Sequence, residues 1–226
     1  MTKGWENVGT KQGENTSEVK YLKFPEGTSS IRLLDEAPIS SWTHWIPSAN
    51  KGKGVSIKCI GKECPICQII KTEKAMKVKN KTYTAKMTHN INVLVRKLGG
   101  QDTNEVMVLE GGNAIFGQIK DQMTLLQTMG MSTDLRNVDL IVQRTGTGFN
   151  DTKYSVMANA MTAKPLTAEE QALEKYDLNA IKPNLSKEQI LELIDGKSLD
   201  EVCKQDSEEE EVDMEEAPFL EGALPY

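Results

Sequence analysis

Four residues in the first third of the chain have the types and the spacing of a metal site. His44, Cys59, Cys64 and Cys67 are separated by 14, 4 and 2 residues, so the last two form a C-x-x-C hook. One imidazole and three thiolates suit a tetrahedral Zn²⁺ ion, and four protein ligands leave no position for a catalytic water. The pattern therefore predicts one zinc ion with a structural role.

Other interpretations of this cluster stay open. His89 is an alternative fourth ligand in place of His44. The Cys64–Cys67 hook also occurs in thiol–disulfide enzymes. The sites of those enzymes follow a buried strand, whereas the stretch SIKCIGKE here is polar. The four residues could also be unrelated in space, and the isolated Cys203 is predicted to be a free thiol.

The elements around the cluster must bring its members together. Trp42 and His44 share one face of an extended strand, and Trp45 takes the opposite face, which we expect to enter the core. Pro65 suits the first turn of a helix over residues 65–79. That helix carries an apolar face that begins at Ile66 and a lysine edge that includes Lys71, Lys74 and Lys77.

Charge is distributed unevenly along the 226 residues. The last 21 residues contain nine Asp or Glu and no Lys or Arg, whereas residues 1–205 hold 27 bases against 24 acids. Residues 51–100 alone hold twelve Lys or Arg and only Glu63 and Glu73 as acids. A basic body favours an anionic partner. The absence of a secretory segment near Met1 and of a long apolar run predicts a soluble, intracellular protein without membrane partners, in which thiols stay reduced.

Aromatic residues lie between the bases, a pattern typical of single-stranded nucleic-acid binding. Cations neutralise phosphates, and rings stack on bases of any identity. Tyr83 and Tyr154 are equally consistent with core positions. The predicted nucleic-acid-binding residues are Trp42, Lys51, Lys53, Lys58, Lys71, Tyr83, Lys86, His89, Arg96, Arg144, Phe149, Lys153 and Tyr154.

The hydrophobic pattern predicts a mainly β fold with some helices (β+α). About five strands are expected, and a helix capped by Asn113 and ended by Gly130 lies between the third and the fourth. This order fits a five-stranded OB-fold barrel with an inserted zinc-binding subdomain and a C-terminal helical appendage. Capping boxes at Thr167 and Ser186 predict helices near 168–177 and 187–195. The predicted domains are an arm (1–20), a core (21–160) with the zinc subdomain at about 42–80, the appendage (161–205) and a disordered acidic tail (206–226).

The acidic tail carries a second prediction. Its carboxylates compete with DNA for the basic surface, and DNA binding frees them for partner proteins. The alternative is a tail that only increases solubility. The residues predicted to bind partners are Glu208, Glu209, Glu210, Glu211, Phe219 and Tyr226.

The segment from Ile39 to Lys71, with His44, Cys59, Cys64-Pro-Ile-Cys67 and the following Gln-Ile-Ile, resembles the zinc-containing single-stranded DNA-binding proteins of T-even-like phages. The segments KTYTAKMTHNINVLVRK and VDLIVQRTGTGFNDTKYSV follow in the same order. The resemblance covers residues 20–160. It implies an OB fold with a zinc subdomain, and His44, Cys59, Cys64 and Cys67 as ligands. It also implies coating of single strands in replication, recombination and repair, and a tail that recruits the phage replication proteins.

Together these patterns predict a DNA-binding protein that is not an enzyme. The chain has no H-E-x-x-H motif, P-loop or nucleophile elbow. The predicted partners are single-stranded DNA, replication and recombination proteins, and other copies of the chain on DNA. The expected location is the cytoplasm of a bacterial host of a phage. The alternatives are a zinc-braced protein-binding adaptor or transcription accessory factor and, third, a thiol oxidoreductase.

Overall fold

The computed structural model describes residues 19–50, 52–79, 82–148 and 151–204. These residues form two compact units, each built from two stretches of the chain. We call residues 19–39 and 89–181 the sheet unit, and residues 40–88 and 182–204 the cysteine unit. Most of the predicted arm and the whole acidic tail lie outside the described residues, and the domain boundaries drawn from the sequence stay a prediction.

The described residues form seven strands, two more than the five or so that the hydrophobic pattern predicts. Of the helices in these residues, none is both long and apolar enough to cross a membrane. The strands are β1 (Gly27–Leu33), β2 (Ile39–Ile46), β3 (Val55–Lys58), β4 (Ala85–Leu98), β5 (Gln101–Gly111), β6 (Asp139–Thr145) and β7 (Lys153–Asn159). The α-helices are α1 (Pro65–Ala75), α2 (Asn113–Thr128), α3 (Ala168–Gln171) and α4 (Lys187–Ile194), and residues 199–204 are also helical.

The sheet unit is built on antiparallel strands in the order β5, β4, β1, β6, β7, where β4 contributes its part after residue 88. Ile31 of β1 pairs with Val95 of β4 on one side and with Leu140 of β6 on the other. Side chains alternate along a strand, so Ile91, Val93 and Val95 face one core. The predicted β+α class is confirmed.

The closed five-stranded barrel is not confirmed. In the described residues β5 forms a ladder with β4 and a single parallel bridge between Tyr21 and Val108, and β7 pairs with β6. The ladders among these residues do not join β5 to β7, so the strands form an open sheet.

Helix α2 covers the sheet unit's core and also its β7 edge. Gln118 accepts a hydrogen bond from the backbone N–H of Val156 at 3.0 Å and donates to Tyr154 O at 2.9 Å. One turn later, Gln122 accepts from the N–H of Ala158 at 2.9 Å. Side-chain amides at i and i+4 lie on the same helix face. They therefore satisfy backbone groups that an exposed edge strand would otherwise present to another chain.

The predicted cap of α2 is wrong. The N-cap residue is Gly112, and Asn113 is the first residue of the helix. The side chain of Asn113 lies instead with its Oδ1 atom 2.7 Å from Nε2 of His89. The predicted end of the helix is confirmed, since Gly130 has the positive φ of +69° that glycine adopts most readily.

A buried arginine fixes the segment that follows β7. Arg32 is fully buried, and its Nε atom donates to Asp139 Oδ1 at 2.6 Å. Its remaining donors reach three carbonyl oxygens, those of Arg136, Lys164 and Thr162. A buried charge is tolerated only when it is paired and hydrogen-bonded. Arg32 meets this condition, and it thereby attaches the 160–166 segment to the sheet.

The cysteine unit has its own apolar core. The β2–β3 hairpin brings Ile46 and Ile57 against Ile66 of α1 and Ile190 of α4. The first residues of β4 also belong here, because Thr43 Oγ1 lies 2.8 Å from Thr88 Oγ1. This core contains the cysteine hook, since Cys64 is fully buried in it.

Several local predictions are confirmed and three are wrong. Helix α1 ends at Ala75 and not at residue 79. Both capping boxes, at Thr167 and at Ser186, form their two reciprocal hydrogen bonds. Helix α3 is shorter than predicted, because it ends at Gln171. Trp45 does not enter the core but is 50% exposed. The face of β2 that packs in the core carries His44 and Ile46, and Trp45 lies on the other face of the strand.

Candidate metal centre and nucleic-acid interface

The four predicted ligands meet in the cysteine unit. One ligand atom of each of His44, Cys59, Cys64 and Cys67 lies within 4.8 Å of all the others. Cys67 Sγ is 3.4 Å from His44 Nε2 and 3.6 Å from Cys59 Sγ. The interpretation that the four residues are unrelated in space is therefore wrong.

Each ligand is positioned by a different local structure. His44 is in β2, and Cys59 follows β3 directly. Cys64 is the N-cap of α1, where Pro65 occupies the first turn as predicted, and Cys67 is in that same turn. The pairing of β2 with β3 places His44 opposite Ile57, two residues before Cys59. A metal ion bound by these four residues would join the β2–β3 hairpin to the first turn of α1.

A backbone carbonyl orients the imidazole. Nδ1 of His44 lies 3.2 Å from Thr84 O, so this nitrogen carries the proton and donates it. The other nitrogen, Nε2, then presents its lone pair to the cysteines. A hydrogen bond of this kind is the usual second-shell partner of a metal-binding histidine.

Burial changes the protonation of two of the ligands, His44 and Cys67. His44 is 1% exposed, and this desolvation lowers the pKa of its imidazole, which therefore stays neutral as a metal ligand must. Burial and the neighbouring thiols raise the pKa of Cys67 to about 12. Three thiolates this close together repel one another, and a bound divalent ion would supply the compensating charge. The donor set and its closeness are compatible with zinc.

His89 is not part of this cluster. It belongs to the sheet unit, where its Nε2 atom contacts Asn113 and its ring lies 5.0 Å from the ring of Phe116. The alternative in which His89 replaces His44 is therefore wrong. The four-donor arrangement also favours metal binding over a two-cysteine redox site, which needs neither His44 nor Cys59.

The structure places the predicted nucleic-acid-binding residues of the cysteine unit in two environments. Trp42 is 52% exposed, and three lysines are exposed as well. Lys58 is half-buried, with its ammonium 3.5 Å from Asn184 Oδ1. Tyr83 is only 7% exposed and belongs to the apolar core. A core position was the alternative to nucleic-acid contact that the sequence left open for this residue. The exposed lysines are Lys53, Lys71 and Lys86.

In the sheet unit the predicted arginines have protein partners. Arg96 forms ion pairs with Glu170 and Asp139. Arg144 donates to Phe24 O at 2.6 Å. Tyr154 packs edge-on to Phe24, with ring centroids 6.0 Å apart. Lys153 is exposed.

A role of these residues in nucleic-acid binding stays a prediction. Lys51 and Phe149 lie outside the described residues, as do all the residues predicted in the tail. Trp45 was missing from the predicted set because strand alternation assigned it to the core. Its exposure depends on which strand face packs in the core, and a short sequence segment does not carry that information.

Comparison with known proteins identifies a family. Residues 31–210, most of the chain, match the family described as "gp32 DNA binding protein like". No curated protein matches the chain.

Proposed function

The chain belongs to the family of gp32-like DNA-binding proteins, and we propose that it binds single-stranded DNA largely without sequence preference. The family match over residues 31–210 is the observation that carries the proposal. In this proposal the protein coats and protects single strands during phage DNA replication, recombination and repair, in the cytoplasm of a bacterial host. It acts as a binding protein and not as an enzyme.

The sheet unit supports an OB-type fold at the level of strand order. Counted within this unit, β1, β4, β5, β6 and β7 are its first to fifth strands, and α2 lies between the third and the fourth. Its ladder order is third, second, first, fourth, fifth. Small barrels of this type bind oligonucleotides on one sheet face. The OB assignment therefore agrees with a nucleic-acid-binding role.

The metal in this proposal is one structural zinc ion. Its ligands are His44 Nε2 and the thiolates of Cys59, Cys64 and Cys67, which the fold brings within 4.8 Å of one another. A zinc ion with four protein ligands contributes folding free energy and no catalytic water. His44 and the cysteines hold the β2–β3 hairpin against α1 and so fix the surface that carries the lysines.

Electrostatics support an anionic ligand for the cysteine unit. The cysteine unit contains 14 lysines and seven acids, and this excess lies in residues 40–88, with ten lysines and only Glu63 and Glu73 as acids. Exposed lysines that neutralise phosphates release counterions, and this release drives binding whatever the base sequence. The acidic tail competes for the same lysines in this proposal and recruits replication and recombination proteins when DNA displaces it.

A competition experiment tests the proposal. Labelled oligo-dT is bound to the full chain in low salt and then challenged with unlabelled single strand or with duplex of equal length. We expect the single strand to displace the label at much lower concentration than the duplex. Equal displacement by duplex, or no binding of the label at all, would overturn the proposal and favour a protein-binding adaptor.

A further inference from the structure

We propose that Trp45 is a base-stacking residue of the cysteine unit, with the ammonium groups of Lys58 and Lys182 beside it to bind phosphate. This inference rests on the proposed function, because its ligand is the same single strand. It adds a residue that sequence patterns assigned to the core.

The exposure of Trp45 is the first observation. Tryptophan is a large apolar residue that is usually well buried, yet Trp45 is 50% exposed between two buried neighbours, His44 and Ile46. Those neighbours face the apolar core and the metal ligands, so the indole lies on the opposite face of β2. Half of its surface is thus available to a ligand ring.

The backbone of Gly54 packs against the indole ring of Trp45. A Cβ atom added to Gly54 would lie 2.2 Å from Cζ2 of Trp45, so the ring rests directly on the Gly54 backbone. Gly54 has a φ of +73°, a conformation that side chains disfavour, so backbone geometry and ring contact both require glycine here. Because the Gly54 backbone already restricts the indole, stacking on a base costs little additional conformational entropy.

Lysines flank the same face of the hairpin. Trp45 pairs with Ser56 across the β2–β3 ladder, and cross-strand partners project to the same side. The ammonium of Lys182 lies 3.4 Å from Ser56 Oγ. Lys58 is two residues further along β3, which returns its side chain to this face. An aromatic ring with cations beside it is the arrangement that single-strand binders use.

The charge of the hairpin is complementary to a phosphate chain. Neither Ile39–Ile46 nor Val55–Lys58 contains an acidic residue. A protein partner with an apolar anchor would have to accommodate these cations. A nucleic acid uses both features, since its base stacks on the indole and its phosphates pair with the lysines.

The inference is tested by measuring the oligo-dT affinity of Trp45 variants at several salt concentrations. We expect Trp45→Ala to weaken oligo-dT binding by about 5- to 150-fold, the range for loss of one stacked base, while the dependence of affinity on salt stays as in wild type. Trp45→Phe keeps a ring and should recover most of the loss. By contrast, Lys58→Ala or Lys182→Ala should make the slope of log K against log salt less negative by about 0.7.

A matched control separates stacking from folding. Leu191→Ala removes another exposed apolar side chain of the same unit, 41% exposed on α4, and should leave DNA affinity unchanged. Zinc content and thermal unfolding of each variant report on the fold. Gly54→Ala provides an independent route, since it displaces the indole but keeps the tryptophan, and it should also weaken binding.

Fluorescence completes the test. The chain has three tryptophans, so Trp5→Phe combined with Trp42→Phe leaves Trp45 as the single emitter. We expect its emission to be quenched as oligo-dT saturates the protein. If labelled oligo-dT binds but Trp45 emission is unchanged and Trp45→Ala binds as wild type does, the inference is overturned and the proposed function survives. If oligo-dT does not bind wild type at all, the proposed function itself fails.

Discussion

Nε2 of His44 lies 3.4 Å from Sγ of Cys67, although the two residues are 23 positions apart in the chain. The contact joins a strand to the first turn of a helix. Between them the chain forms a hairpin whose outer face carries Trp45, and the inner face is the apolar core. A metal ion bound at these residues would therefore hold the hairpin against the helix, whereas Trp45 lies on the opposite face of the strand.

The zinc site gives the first prediction. The wild-type chain should bind about one zinc per molecule, and Cys64→Ser should lose both the metal and much of its thermal stability. Structural zinc contributes on the order of 10 kcal/mol of apparent binding free energy, and Cys64 is fully buried. Metal analysis together with thermal unfolding checks both. The exposed Cys203 provides the control, because Cys203→Ser should retain zinc. Full zinc in the Cys64→Ser protein would mean that the ligand set is wrong.

The second prediction concerns the edge of β7. Replacing Gln118 and Gln122 with alanine leaves the N–H groups of Val156 and Ala158 without their acceptors. We expect a loss of about 0.5–1.5 kcal/mol of stability for each, the net contribution of one hydrogen bond. Urea unfolding measures the loss, and light scattering should detect the edge-to-edge association that an uncovered strand permits. Gln127→Ala, an exposed position of the same helix, should change neither quantity.

The third prediction concerns the buried Arg32. Arg32→Ala leaves three carbonyl oxygens without their donor, while Asp139 keeps Arg96 as an ion-pair partner, and we expect a loss of about 3 kcal/mol. Arg32→Lys should recover little, because a single ammonium cannot reproduce the fork of guanidinium donors. Thermal unfolding at neutral pH measures the stability of both variants. Stability of the lysine variant close to wild type would show that the charge alone matters.

The fourth prediction is a dependence on pH. Burial alone would raise the pKa of Glu170, but hydrogen bonds from Thr167 N–H and from Arg96 outweigh it, so the pKa lies below its ordinary 4.5. The folded carboxyl therefore binds its proton less readily than the unfolded one. Its contribution to stability is fully present above pH 4.5 and is lost as the pH falls through the folded pKa.

A charge-removing variant isolates this contribution. Glu170→Gln should be less stable than wild type at pH 7, and the difference should shrink as the pH falls below 4.5. Chemical unfolding at a series of pH values measures it. Glu169→Gln, the exposed neighbour on the same helix, should follow the wild-type profile. A constant difference at every pH would assign the effect of Glu170→Gln to packing and not to charge.

Local chemistry made part of this molecule predictable from its sequence. The spacing of His44 and the cysteines, the proline at the start of α1 and the capping boxes at Thr167 and Ser186 all depend on neighbours within a few residues or on ligand chemistry, and each is confirmed. The alternation in β4 likewise predicted its core residues.

The features that sequence reasoning missed depend on distant parts of the chain. Arg32 is buried because Asp139, 107 positions away, lies beside it. Strand β3 has only four residues between a glycine-rich turn and Cys59, which is too short for a periodic signal. Trp45 is exposed because His44 and Ile46 fill the core face of the same strand. None of these relationships leaves a pattern in a local window.

The most direct test of the central claim is the affinity for oligo-dT measured across a range of salt. We expect tight binding at low salt, with log K falling linearly by about 0.7 per lysine–phosphate contact against log salt. Four such contacts would weaken binding about 50-fold between about 50 and 200 mM salt. Absence of binding at low salt, or an affinity that does not change with salt, would contradict the claim that this zinc-braced basic surface binds single-stranded DNA.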